Sequence, residues 1–227
     1  MQIYFRQVIR YKKRDRSELK MLDIAVIGVL SVFFEVGWFG AFLAYGFLTR
    51  KRKDLGLVKA SKPTGFILHK VWSLLPIVLI IVFLLGAVVP GWLYGTILNV
   101  SFSGAEYLQV ASVLIFLVGV LSFLWSAWTL RSLMRPRLVV MERQELVTKG
   151  PYSRVRHPVY TGAMLLFLAP VLLYLNLVLV LLFFICVGLA YRRAVLEDEL
   201  LASENGFGQA YRDYMQKTGR FLPKLIR

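Results

Sequence analysis

The sequence predicts an all-α protein: a polytopic transmembrane helix bundle of about five spans, closing with a helical hairpin near the C-terminus. Three observations carry that prediction. Of 227 residues, 58% are hydrophobic and only 18% charged, below the roughly 25% charged content of soluble domains. Four long stretches hold one charge or none, and basic residues gather at their ends, as cytoplasmic loops require. With 17 Gly, 8 Pro and 1 Cys, collagen-like and disulfide-framework classes are excluded, and the apolar fraction excludes disorder. The length fits one membrane domain, 1–227. Residues 1–130 form its N-terminal arm and first three spans; residues 131–227 hold the hairpin, 158–192.

A span needs about 20 mostly apolar residues. The first candidate, Ile24–Thr49, contains only Glu35. The basic run at 50–53 places its end on the cytoplasmic side, so a single crossing puts the basic N-terminal arm outside; a re-entrant turn at Glu35 has too few residues. The arm is followed by an apolar run too long for a signal peptide and is expected to be retained. The second span runs from Val71 to about Val89, where Pro90 and Gly91 break it. The third, Tyr107–Leu130, returns the chain to the basic side at Arg131, Arg135 and Arg137. The uncharged stretch Val159–Tyr191 is too long for one helix and basic at both flanks, so it must cross an even number of times. It is expected to be a hairpin with arms of about 16 residues, slightly short for a bilayer, interrupted by Pro170 and Asn176. The last arm should continue as a helix through RRAVLEDELLA and end at SENGFG.

The net charge of +15 would suggest nucleic acid in a soluble protein. Here the cations border apolar runs, so membrane lipids are the expected partners and nucleic acid is not. Two His and one Cys without ligand spacing predict no metal site. Trp and Tyr are expected in interfacial belts and bundle packing. Glu35 is a functional candidate by its place inside a span, and a packing residue by its neighbours Gly37 and Gly40.

Polar residues concentrate at 50–70, 131–158 and 192–227, all on the inferred cytoplasmic side, and chemistry is expected there. LVTKGPYSRVRHPVYTG, 146–162, combines a Gly-Pro turn, cations, His157 and two tyrosines immediately before the hairpin. Pro158 suits the first turn of a helix, which leaves His157 at the helix N-terminus. The bland reading is a basic loop anchored at the lipid interface. Beyond the hairpin, Arg193 and Glu197 stand four apart on one helical face. As a surface pair in that order they would stabilise little. The two constellations flank one hairpin, so its topology brings them together.

LVTKGPYSRVRHPVYTG, the apolar hairpin, then RAVLED, FGQAYRDY and RFLP resemble the isoprenylcysteine carboxyl methyltransferase and phospholipid methyltransferase superfamily over roughly 137–223. The first 130 residues carry no motif that matches. The resemblance implies S-adenosylmethionine held in a cytoplasmic pocket by Gln144, Glu145, Leu146, Val147, Tyr152, His157, Pro158, Val159, Tyr160 and Glu197, with Arg193 facing the methyl acceptor. It also implies an integral membrane methyltransferase acting on a lipophilic or lipidated substrate from the bilayer. A bacterial inner membrane is the expected location. Asp198 stands where the family commonly has a second Glu, and the spacing from there to Phe207 and Gly208 is about two residues longer. The alternatives are a nicotinamide-dependent sterol-type reductase and a non-catalytic lipid-binding membrane protein.

Overall fold

The computed structural model describes residues 21–49, 57–60, 81–82, 84–86, 88–133, 139–141 and 145–224. The helices described from end to end are α1 (Ile24–Thr49), α2 (Ala105–Leu130), α3 (Pro158–Tyr174), α4 (Leu177–Leu201) and α5 (Gln209–Lys217); residues 81–82, 84–86 and 88 are helical too. By length and composition α1, α2 and α4 can each cross a membrane; α3 is a shorter apolar helix. The expected count of five rests partly on the second span, most of which lies outside the described residues. Its predicted end is seen: a short 3-10 turn occupies Pro90–Trp92.

α1 is one continuous helix through Glu35, with no re-entrant turn there, and by length and composition it can cross once. Its inner face carries Ile27, Ser31, Phe34 and Trp38, all buried. Phe34 stacks on Phe116 of α2 at 4.4 Å, and Trp38 lies 5.3 Å from Phe167 of α3. Gly37 fits packing as expected, since a Cβ there would meet the Phe116 ring, whereas Gly40 has open space. Glu35 is partly buried, one turn from Ser31, whose hydroxyl shares a 2.6 Å hydrogen bond with Tyr174.

α2 and α3 approach most closely. A Cβ on Gly162 would lie 2.6 Å from the Phe123 backbone nitrogen, and one on Gly119 would lie 3.0 Å from that of Leu166. Small residues let two backbones meet where lipid offers no hydrophobic drive to associate. The opposite face of α2 exposes Tyr107 at one end and Trp125 and Trp128 at the other. At 1.5 Å per residue these rings are about 27–32 Å apart, close to the roughly 30 Å of a hydrocarbon core.

The hairpin turns in two residues. Leu175 caps α3 in the left-handed region (φ 48°), a conformation an L side chain adopts at a cost. Asn176 then starts α4, its side chain accepting from Val178 N at 2.9 Å. Pro170, expected to interrupt the stretch, lies inside α3 without ending it. Membrane helices tolerate proline where neighbours re-satisfy the freed carbonyl. A polar cluster holds the turn: Asn99 Nδ2 donates to the Tyr174 carbonyl, Asn176 Nδ2 to that of Leu93, and Gln109 Nε2 to that of Leu173. Gln109 also accepts from Leu22 N, so α1 begins at the same end as the turn.

At the opposite end a short two-stranded ribbon accompanies the helices. β1 (Leu57–Ala60), following α1, pairs antiparallel with β2 (Val139–Met141), following α2. Both helices deliver their chain to this end, which gives the two segments their meeting point. α4 runs past the apolar hairpin into its polar end and stops at Leu201, before the predicted breaker. We take its membrane-spanning part as 177–191.

Candidate active site

The two constellations meet at the end where α3 starts and α4 finishes. Upstream, Gly150–Ser153 forms a 3-10 turn with Pro151 in its first positions. Gly150 has φ 60°, and a Cβ there would come within 3.2 Å of Thr129 Oγ1 on α2, so this turn needs glycine for conformation and space. His157 precedes α3, with Pro158 as its first residue.

A hydrogen-bonded chain crosses from α4 to α3 and back. Arg193 Nε donates to Tyr160 Oη at 2.9 Å, and Tyr160 donates to Glu197 Oε2 at 2.7 Å. Arg193 is 2% exposed; the Glu197 side chain is 32% exposed, so one carboxylate flank faces outward. The His157 ring lies parallel to Tyr160, centroids 5.3 Å apart, and its Nδ1 is 3.7 Å from Glu197 Oε2. Tyr152 is buried at 6% exposure, yet among the described residues its hydroxyl has no hydrogen-bond partner. Burial, then the nearby Glu197 charge, pushes its phenol well above the usual range. It is a neutral donor awaiting an acceptor.

Behind His157 lies Asp198, 2% exposed. Its carboxylate accepts from His157 Nε2 at 2.9 Å, Tyr211 Oη at 2.7 Å and Arg220 Nε at 2.9 Å. Arg156 Nε stands 3.4 Å away. Burial alone would raise the Asp198 carboxyl, but the hydrogen bonds from His157, Tyr211 and Arg220 hold it well below the usual carboxylate range.

Residues 108–208 match the phospholipid methyltransferase family. Over this region, rather less than half of the chain, the sequence is similar to that family of membrane methyltransferases. The match starts inside α2, earlier than the stretch of roughly 137–223 over which the motifs resemble the family. The close α2–α3 contact makes α2 part of the same unit. A solved structure of the eukaryotic intramembrane Ras methyltransferase ICMT (isoprenylcysteine carboxyl methyltransferase), without a monobody, is similar with a TM-score of 0.55 at 18% identity, covering 88% of this chain and 73% of that one. At that identity the likeness is one of fold. No curated protein matches the chain.

Among the site residues expected from sequence, His157, Tyr160, Arg193 and Glu197 converge, and Pro158 and Val159 lie in the same first turn of α3. Tyr152 is within electrostatic reach of Glu197 and Tyr160. Glu145, Leu146 and Val147 form an irregular segment after β2, Glu145 exposed and the others partly buried. Gln144 lies outside the described residues. Sequence reasoning missed Arg156, Tyr211 and Arg220. Each sits in a quoted motif, but nothing in the spacing marks them as partners of one carboxylate.

Proposed function

We propose that this methyltransferase moves a methyl group from S-adenosylmethionine to a lipophilic acceptor arriving from the bilayer, a carboxylate of isoprenylcysteine type or a related one. The observation that carries the proposal is the Arg193–Tyr160–Glu197 chain, which joins a buried cation to a partly open carboxylate at the mouth of a membrane hairpin. The residues fit the cofactor. Glu197 offers an outward-facing acceptor and Tyr152 an unsatisfied buried donor, and an unpaired buried polar group costs stability unless something meets it. His157, Pro158, Val159 and Tyr160 precede and open α3 beside Glu197, and Glu145, Leu146 and Val147 follow β2.

When bound, S-adenosylmethionine supplies an electrophilic methyl on a sulfonium. The protein's task is then alignment and exclusion of water. An ionised carboxylate acceptor needs no general base. It needs orientation, which a guanidinium provides through charge-assisted hydrogen bonds, and Tyr160 fixes Arg193 for that task. Basic residues at this end, Arg154, Arg156, Arg192 and Arg193, support a cytoplasmic mouth.

The test is transfer of labelled methyl from S-adenosylmethionine to a farnesylated cysteine derivative, with a phospholipid amine in parallel. The expected product is a base-labile methyl ester, and Arg193→Ala should lower kcat far more than it weakens cofactor binding. Base-stable label on the amine alone would contradict the carboxylate assignment.

A further inference from the structure

The donors that converge on Asp198 come from three separate segments. Arg156 and His157 lie just before α3, Tyr211 is on α5, and Arg220 is in the stretch that follows α5. That stretch lies alongside the start of α3. Arg156 N donates to the Gly219 carbonyl at 2.9 Å and His157 N to that of Arg220 at 3.0 Å, while Thr161 Oγ1 donates to that of Phe221 at 2.8 Å. Arg156 Nη1 ties the end of α5 to the same place through the Met215 and Thr218 carbonyls. An ionised carboxylate only accepts, so its bond to His157 requires the hydrogen on Nε2. Nδ1 is left facing Glu197.

We infer that Asp198 is a positioning residue: supported by Tyr211 and Arg220, it fixes the tautomer and plane of His157 and so couples the C-terminal segment 211–221 to the site. Glu197 and Asp198 are adjacent on α4, about 100° apart around it. They address the two nitrogens of one ring, with Glu197 on the open side and Asp198 on the closed side. The donors on the closed side bond to Asp198. The imidazole is therefore a hydrogen-bonded route by which a change in α5 or at Arg220 reaches the Glu197 side, beside the contact that Tyr214 Oη of α5 makes with the Tyr152 carbonyl at 2.6 Å. For cofactor affinity this inference rests on the proposed function; for ring orientation it stands alone.

The chain has two histidines, so nitrogen NMR of histidine-labelled protein in detergent resolves His157 by its loss in His157→Gln. The wild-type signal should show a protected Nε2–H. Asp198→Asn should make that hydrogen exchange at least about tenfold faster. Tyr211→Phe, which leaves the carboxylate and the packing in place, should move it the same way by about threefold. Calorimetry on the same samples should show weaker S-adenosylmethionine binding in Asp198→Asn, with no further loss when it is added to His157→Gln, since a residue acting through another is not additive with it. If Asp198→Asn does not fold, the Tyr211→Phe and His157→Gln pair takes its place. An Nε2–H unchanged in the folded variants, or losses that add in the double variant, overturns the inference. Lower thermal stability with an unmoved signal means a structural role only, which also overturns it. Wild-type protein that binds no S-adenosylmethionine contradicts the proposed function, and the NMR result still decides this inference.

Discussion

Tyr160 stands between Arg193 and Glu197, accepting from one and donating to the other. The spacing of four places both on one face of α4, and the hairpin brings Tyr160 to that face, so this part of the site was legible in the sequence. The Asp198 cluster was not. Position 198 reads as a substitute for a second glutamate, and its donors Arg156, Tyr211 and Arg220 are spread over 65 residues of chain without a period that links them. The cluster has a pH consequence. Hydrogen bonds depress the folded-state Asp198 carboxyl below its unfolded value, so its stabilisation is complete above the ordinary carboxylate range and is lost as pH falls from about 4 toward the depressed value. Thermal unfolding in detergent should show Asp198→Asn with a lower midpoint at neutral pH and a flatter acid limb. Parallel acid limbs in both proteins would contradict this.

At the scale of elements, apolar run length and basic flanks located α1, α2 and the hairpin to within about two residues. Asn176 marked the turn, while Pro170 did not break α3, because a buried membrane helix holds proline that a soluble helix would reject. The β1–β2 ribbon was not legible, since short loop strands carry no burial pattern of their own. Which glycines pack was only partly legible: Gly37 does and Gly40 does not, a difference set by neighbours on other helices. Gly162→Ala should therefore force α2 and α3 apart, costing about 1–3 kcal/mol and lowering the thermal midpoint in detergent. Gly40→Ala, in open space, should leave it unchanged or raise it. Equal midpoints for wild type and Gly162→Ala would contradict the close approach.

For the whole molecule, the arrangement has two ends with different work. One end holds α1's start, the 93–100 loop and the hairpin turn through the side-chain amides of Asn99, Gln109 and Asn176. The other gathers the charges and the site. Ile97 is almost fully exposed at the first end and Glu204 is exposed at the second. Ile97→Cys and Glu204→Cys should react with a membrane-impermeant thiol reagent from opposite sides of the membrane, and labelling of both from one side would contradict the topology. The central claim is that the second end is a cofactor site organised by Glu197. Calorimetric titration of S-adenosylmethionine into detergent-purified wild type and Glu197→Gln tests it most directly. The account predicts saturable binding by wild type and at least about a hundredfold loss in the variant, since the variant removes a partly buried charged acceptor. Equal affinity in both proteins, or no binding by folded wild type, would contradict it.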